Sequence, residues 1–127
     1  MRDFGGLEAQ IMQRMWERSD PASVRDVLEE LQEERPIAYT TVMTVMDNLH
    51  RKGHLTRTQE GRAYLYTAVR SRDEHHALLM AEVLEASADR SGTLLSFLGR
   101  MSAEEIQDLR RLLTQTGRRR ARQSRRR

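Results

Sequence analysis

Apolar residues recur at helical spacing in three segments before residue 53, then alternate in two short stretches between residues 55 and 67. Helical spacing returns in three further segments after residue 71. This order predicts a mainly α fold with a small β-hairpin. Residues 1–70 form a helix-turn-helix carrying the hairpin, 71–116 a three-helix domain, and 117–127 a disordered arginine-rich tail.

The 127 residues are 38% hydrophobic, 5% aromatic and 32% charged. A chain this short, charged and poor in aromatics often completes its core against a second copy, so a homodimer is expected. Cysteine is absent, which excludes a disulfide framework, thiolate metal sites and a cysteine nucleophile. No apolar run approaches the roughly 20 residues of a membrane span, and Met1-Arg2-Asp3-Phe4 lacks the apolar core of a signal peptide. The expected compartment is the cytoplasm, without membrane insertion.

The net charge of +3 is unevenly distributed. Residues 1–36 hold 5 basic and 9 acidic groups, net −4, and residues 37–72 hold 6 and 2, net +4. Residues 73–116 hold 4 and 8, net −4, whereas 117–127 hold 7 arginines and no acid. Positive charge confined to one central segment and one tail is the pattern of a surface that faces a polyanion.

In the first segment, Leu7 to Arg18, Leu7, Ile11 and Met15 share a stripe with Met12 on its flank. Trp16 beside them reads as core. Ser19-Asp20-Pro21 ends this helix. Ser23 then caps a second helix, Val24 to Glu34, with Asp26 three positions on and Val24, Val27, Leu28 and Leu31 on one face. Arg35-Pro36 stops it.

The third helix runs from Tyr39 to Lys52 and closes on Gly53 as a left-handed cap. Val42, Val45, Met46 and Leu49 form its apolar stripe; Thr40, Thr44, Asp47 and Arg51 lie opposite, with Met43 and Asn48 on the flanks. Leu55-Thr56-Arg57-Thr58 and Ala63-Tyr64-Leu65-Tyr66-Thr67 follow as two strands around a Gln59-Glu60-Gly61-Arg62 turn. A helix-turn-helix leading directly into a hairpin with a basic tip is the plan of a winged helix.

Ser71-Arg72-Asp73-Glu74 opens a fourth helix carrying Leu78 and Leu84, and Ser91-Gly92 breaks it. Thr93 to Gly99 is a short helix with Leu94, Leu95, Phe97 and Leu98. Ser102-Ala103-Glu104-Glu105 caps a last helix with Ile106, Leu109, Leu112 and Leu113. Three short amphipathic helices cannot bury these faces alone, so the same residues are the candidate dimer surface.

Threonines are poor helix formers, and their methyl and hydroxyl groups suit thymine methyls and base edges. Thr40, Thr41 and Thr44, with Met43 and Asn48, are therefore candidates to read double-stranded DNA in the major groove. Arg51 and Lys52 complement the helix dipole and also suit phosphates. Arg57, on the first strand, is a further candidate DNA contact, and Arg62, at the wing tip, suits a backbone or minor-groove contact. Tyr39 fits either a phosphate contact or the core. His50, His54, His75 and His76 lack a metal-ligand spacing and read as solvated or packed. No phosphate loop or nucleophile–base pair is present; no enzyme, metal or cofactor is expected. The arginine run reads both as a solvated end and as a non-specific DNA clamp.

The order of elements and several stretches resemble the BlaI/MecI penicillinase-repressor family over roughly residues 5–116. Carrying the resemblance are Thr41-Val42-Met43-Thr44-Val45-Met46 with Leu49 and Lys52-Gly53, Glu60-Gly61-Arg62 with Tyr66-Thr67, and Gly92-Thr93 leading to Phe97-Leu98 and Ser102-Ala103-Glu104-Glu105-Ile106. It implies a dimeric transcriptional repressor, with a winged helix on a dyad operator and a C-terminal dimerisation domain. It further implies release when a membrane sensor with a metalloprotease domain, answering a cell-wall antibiotic or related signal, triggers a cut in that domain. By position the bond is Ser96-Phe97, with Ser96 where asparagine is usual. Ala9 stands where tryptophan is frequent, and the C-terminal cysteines of the copper-responsive branch are missing. Two readings outside this resemblance remain open: a ligand-sensing winged-helix regulator, and a winged-helix protein-interaction module without an operator.

Overall fold

A computed structural model of the chain describes residues 2–126. Its elements are α1 (Gly6–Glu17), α2 (Val24–Gln32), α3 (Tyr39–Arg51), β1 (Leu55–Glu60), β2 (Ala63–Ala68), α4 (Arg72–Ala86), α5 (Arg90–Leu98) and α6 (Ala103–Arg126). They fall into two compact units, residues 1–82 and 83–127. The start of α4 belongs to the first unit, where buried His75 stacks on Phe4 at 4.5 Å.

In the first unit the apolar stripes of α1, α2 and α3 meet. Ile11, Met12 and Met15 pack with Val24, Val27, Leu28 and Leu31, and with Val42, Met46 and Leu49; Leu55 and Tyr66 close the core from the hairpin. Ser23 and Asp26 form the expected reciprocal cap on α2, each accepting from the other's backbone N–H. α3 ends as the glycine foretells. Gly53 takes φ +85°, its N–H donates to the His50 carbonyl, and that of His54 donates to the Leu49 carbonyl.

β1 and β2 pair antiparallel from Leu55 opposite Ala68 to Glu60 opposite Ala63, so the strands absorb Gln59 and Glu60, and the turn shrinks to Gly61-Arg62. Gly61 at φ +63° supplies the left-handed first turn position that matches strand twist. Ala22 joins as a one-residue third strand, exchanging backbone hydrogen bonds of 2.9 and 2.8 Å with Tyr66.

In the second unit, two expectations are corrected. Ser91-Gly92 does not break a helix; the break is at Ser87–Asp89, and α5 begins at Arg90. Asp89 is the cap: its carboxylate accepts from Gly92 N–H at 3.0 Å. A Cβ at residue 92 would lie 2.6 Å from that carboxylate, which would have to shift to accommodate it. Nor is the tail irregular, since α6 continues through Gly117 to Arg126. Arginine is a good helix former, and cations at a helix C-terminus complement its dipole. Arg127 lies outside the described residues. Ser102 and Glu105 make the reciprocal cap that opens α6.

Candidate nucleic-acid interface

The buried residues of α3 are Val42, Met46 and Leu49. With these facing inward, the opposite side of the helix projects Thr40, Thr41, Thr44, Asn48 and Arg51 into solvent, while Tyr39 and Met43 are 45% and 41% exposed. Tyr39 is thus not a core residue. The exposed face is short, polar and edged by two large side chains, a shape and chemistry suited to base edges. Ala38, the N-cap, has no side-chain acceptor to offer the first-turn N–H groups.

Asp47 joins this helix to the hairpin. One oxygen of its carboxylate accepts from Arg57 of β1 at 2.9 Å, and the other forms an ion pair with Arg51 at 3.1 Å. Arg57 also donates to the Tyr66 hydroxyl at 3.3 Å and lies over the Tyr64 ring, 4.1 Å from its centre. Bonding to Tyr66 and then Asp47 holds the Arg57 guanidinium more firmly protonated than usual. The Asp47 carboxylate is thus flanked by two cations. Arg57, expected as a DNA contact, has its guanidinium committed within the protein.

The remaining cations differ in freedom. Lys52 reaches Glu8 of α1 at 3.0 Å while staying 57% exposed, and Arg51 is 74% exposed. Arg62 is exposed at the turn and makes no ion pair among the described residues. The surface brings together Tyr39, Thr40, Thr41, Met43, Thr44, Asn48 and Arg51 on one helix, with Lys52 at its C-cap and Arg62 on the wing.

A second cluster went unread in the sequence. Phe4 stacks on His75, meets His54 edge-on at 4.7 Å and lies 6.0 Å from Trp16. His75 bonds Asp3 at 2.9 Å, and the half-buried Trp16 donates from Nε1 to the Arg70 carbonyl at 3.1 Å. The hydrogen bond from His75, then that from Phe4 N–H, lowers the Asp3 carboxyl below its ordinary value. Burial, then the neighbouring His75 and Arg70, lowers the His54 imidazole. The cluster fastens the N-terminal segment and α4 to the turn that ends α3. Among the described residues no group of three His, Cys, Asp or Glu could hold a metal.

Of the expected dimer residues, Leu78 lies in the first unit and is 36% exposed. Leu84, Leu98, Ile106 and Leu109 are partly exposed, whereas Leu94, Leu95, Phe97, Leu112 and Leu113 are 44–72% exposed. Ser96 and Phe97 are both exposed, in the last turn of α5. No helix of the described residues is long and apolar enough to cross a membrane.

The family model for the penicillinase repressor matches residues 4–115. A relative from Mycobacterium tuberculosis, the transcriptional regulator BlaI, is 40% identical over 115 residues, covering 88% of this chain and 83% of its own length. Among solved structures, the DNA-binding domain of the repressor BlaI is 25% identical, with TM-score 0.50 over 58% of this chain and 93% of that one. RosR of H. salinarum shares the fold at 18% identity and TM-score 0.50, over 77% and 93% of the two chains. The helix-turn-helix with its hairpin is accordingly a winged helix, and the family is one of repressors, not of enzymes. By a match that spans nearly all of its length, the chain belongs to the penicillinase repressor family.

Proposed function

We propose that this chain is a homodimeric transcriptional repressor whose α3 enters the major groove in each half of a dyad operator. The observation that carries the reading is the Asp47 bridge. Through Arg57 it ties α3, with its exposed threonine face, to the first strand of the Arg62-tipped wing. A surface held in advance binds without first ordering its loops. The relatives support it, one named a transcriptional regulator and one a repressor's DNA-binding domain.

In this assignment Thr40, Thr41, Met43, Thr44 and Asn48 meet base edges. Tyr39 and the uncapped N–H groups of the first turn of α3 meet a phosphate, as do Arg51, Lys52 and Arg62. Arg57 positions the wing. A second copy covers the exposed apolar faces of α5 and α6, and the two half-sites are bound together. The repressor works in the cytoplasm, where occupancy of the operator blocks polymerase. It is released when a membrane sensor and metalloprotease, answering a cell-wall antibiotic or related signal, cause a cut at Ser96-Phe97. That bond is helical, so the last turn of α5 unwinds before a protease holds it extended.

Footprinting on the promoter upstream of the chain's own gene tests the placement. Arg62→Ala is expected to weaken binding to all sequences and to flatten the salt dependence by about one unit, the share of the one phosphate it neutralises. Thr44→Ala is expected to relax preference at one base pair, by about 1 kcal/mol. Footprints and affinities unchanged in both variants contradict the placement of α3 and the wing.

A further inference from the structure

The last turns of α6 have no role in the interface described above. The family match stops at residue 115, and residues 117–127 add seven arginines without an acid. In the structure residues 117–126 continue one helix with the apolar part of α6, and Arg118, Arg119, Arg120, Arg122 and Arg125 are all exposed. None of these five makes an ion pair among the described residues, while the preceding turn pairs Arg111 with Asp108.

The arginines are spread around the helix, Arg119 falling about 100° and Arg120 about 160° from Arg118, the latter on the apolar side, but three of them share one face. At 3.6 residues per turn, Arg118, Arg122 and Arg125 fall within an arc of about 60° and span about 10 Å of axis. Ile106, Leu109 and Leu113 fall on the far side, about 160° away by the same projection. One helix can therefore bury its apolar stripe against a partner and still present the arginine stripe outward. Gly117, Ala121 and Ser124 leave the tail without a large apolar side chain of its own. Like charges this close repel one another, and a polyanion alongside relieves them.

We propose that the arginine stripe Arg118–Arg122–Arg125 is a second, sequence-independent nucleic-acid site that binds the phosphate backbone of the duplex on which the winged helix sits. Charge complementarity argues for the phosphates. The choice of duplex DNA rests on the repressor reading, under which the winged helix holds such a duplex at high local concentration. Guanidinium forks bind phosphate oxygens two at a time, and each neutralised phosphate releases counterions. The site thus adds affinity and association rate, and no base preference.

The test compares the full chain with its triple variants Arg118→Gln/Arg122→Gln/Arg125→Gln and Arg118→Lys/Arg122→Lys/Arg125→Lys. Their helix content is checked by circular dichroism, and the Lys variant keeps the charge if the Gln variant misfolds. Each is titrated against the operator duplex, a duplex of unrelated sequence, a single-stranded RNA of equal length and vesicles of phosphatidylglycerol. The Gln variant is expected to lose more than about tenfold affinity for both duplexes by the same factor, with a salt slope lower by about 2.7 units per protomer. The Lys variant is expected to keep the wild-type salt slope. An unchanged slope on both duplexes overturns the proposal, as does a loss confined to RNA or to vesicles. A wild-type chain that prefers no duplex sequence breaks the repressor reading instead. A chain that prefers its operator and keeps its slope in the Gln variant breaks this inference alone.

Discussion

The two units of this chain solve burial in opposite ways. The first packs thirteen apolar residues below a tenth of their full exposure, among them Ile11, Val27, Val42, Met46 and Leu49 at 0%. In the second, from Val83 to Arg125, no residue is buried, and Leu95, Leu113 and Leu112 stand 72%, 63% and 57% open. A hydrophobic core accounts for folding of the first unit from its own sequence. The second has amphipathic helices with well-made caps, at Asp89 and Ser102, and nothing of its own to cover their apolar faces. Caps fix where a helix starts; they do not supply a core. Under the dimeric reading proposed above, the difference separates recognition from assembly and makes the stability of the second unit depend on how much of the chain is present.

The sharpest way to break that contrast is to charge the open surface. Leu95→Asp with Leu113→Asp is expected to leave a monomer by sedimentation velocity and to cut operator affinity by about 100-fold or more, since linked half-sites become independent. A dimer that survives both charges locates the assembly surface elsewhere. Leu49→Ala attacks the other unit. It is expected to cost about 2–5 kcal/mol, seen as a fall in urea midpoint that is the same at every protein concentration. Concentration dependence of that fall would mean that the first unit, too, leans on a partner.

Asp47→Asn separates two meanings of one carboxylate. If it merely repels phosphate, its neutralisation tightens binding to every DNA. As the bridge between α3 and β1 it is expected to do the reverse on the operator, weakening binding about fivefold, the order of one charged hydrogen bond after solvent screening. Competition titration with operator and unrelated duplexes gives the sign.

The smallest expected effect is on pH. The folded His54 holds its proton less tightly than its ordinary value of 6.5, so the unfolded chain binds more protons just below that pH. Stability of the first unit should therefore decline as pH drops through 6.5 toward the lowered value. Burial first, then His75, Arg70 and Lys52 push in this direction, and Glu8 opposes them. Asp3, lowered by its bond from His75, contributes stability present above its ordinary 3.8 and lost as acid reaches its folded value. His54→Gln should flatten the upper part of the profile in urea titrations at successive pH values. A profile unaltered by that change would assign the decline to another group.

Much of this was legible in local pattern. The stripes of α1, α2 and α3, the caps at Ser23, Ser71 and Ser102, and the C-terminal glycine of α3 involve partners within about one helical turn, where spacing alone carries the information. Asp89 escaped notice because its partner, Gly92, resembles a helix breaker, although its N–H is the one that meets the cap. The helical tail was hidden by charge, which reads as solvated whether or not the backbone is helical. Asp47 and Arg57 were each seen and not paired, being ten residues apart across a turn that reverses the chain. The Asp3–His75 pair, 72 residues apart, has no local signature at all.

The central claim is that two copies present two α3 helices to one face of a duplex. Hydroxyl-radical footprinting of a selected fragment, with the mass of the complex measured in the same buffer, tests it most directly. Two chains per duplex, protecting two patches whose centres lie about 10 base pairs apart or a multiple of that, is the predicted result. One chain on one patch, or even protection with no preferred sequence, contradicts it.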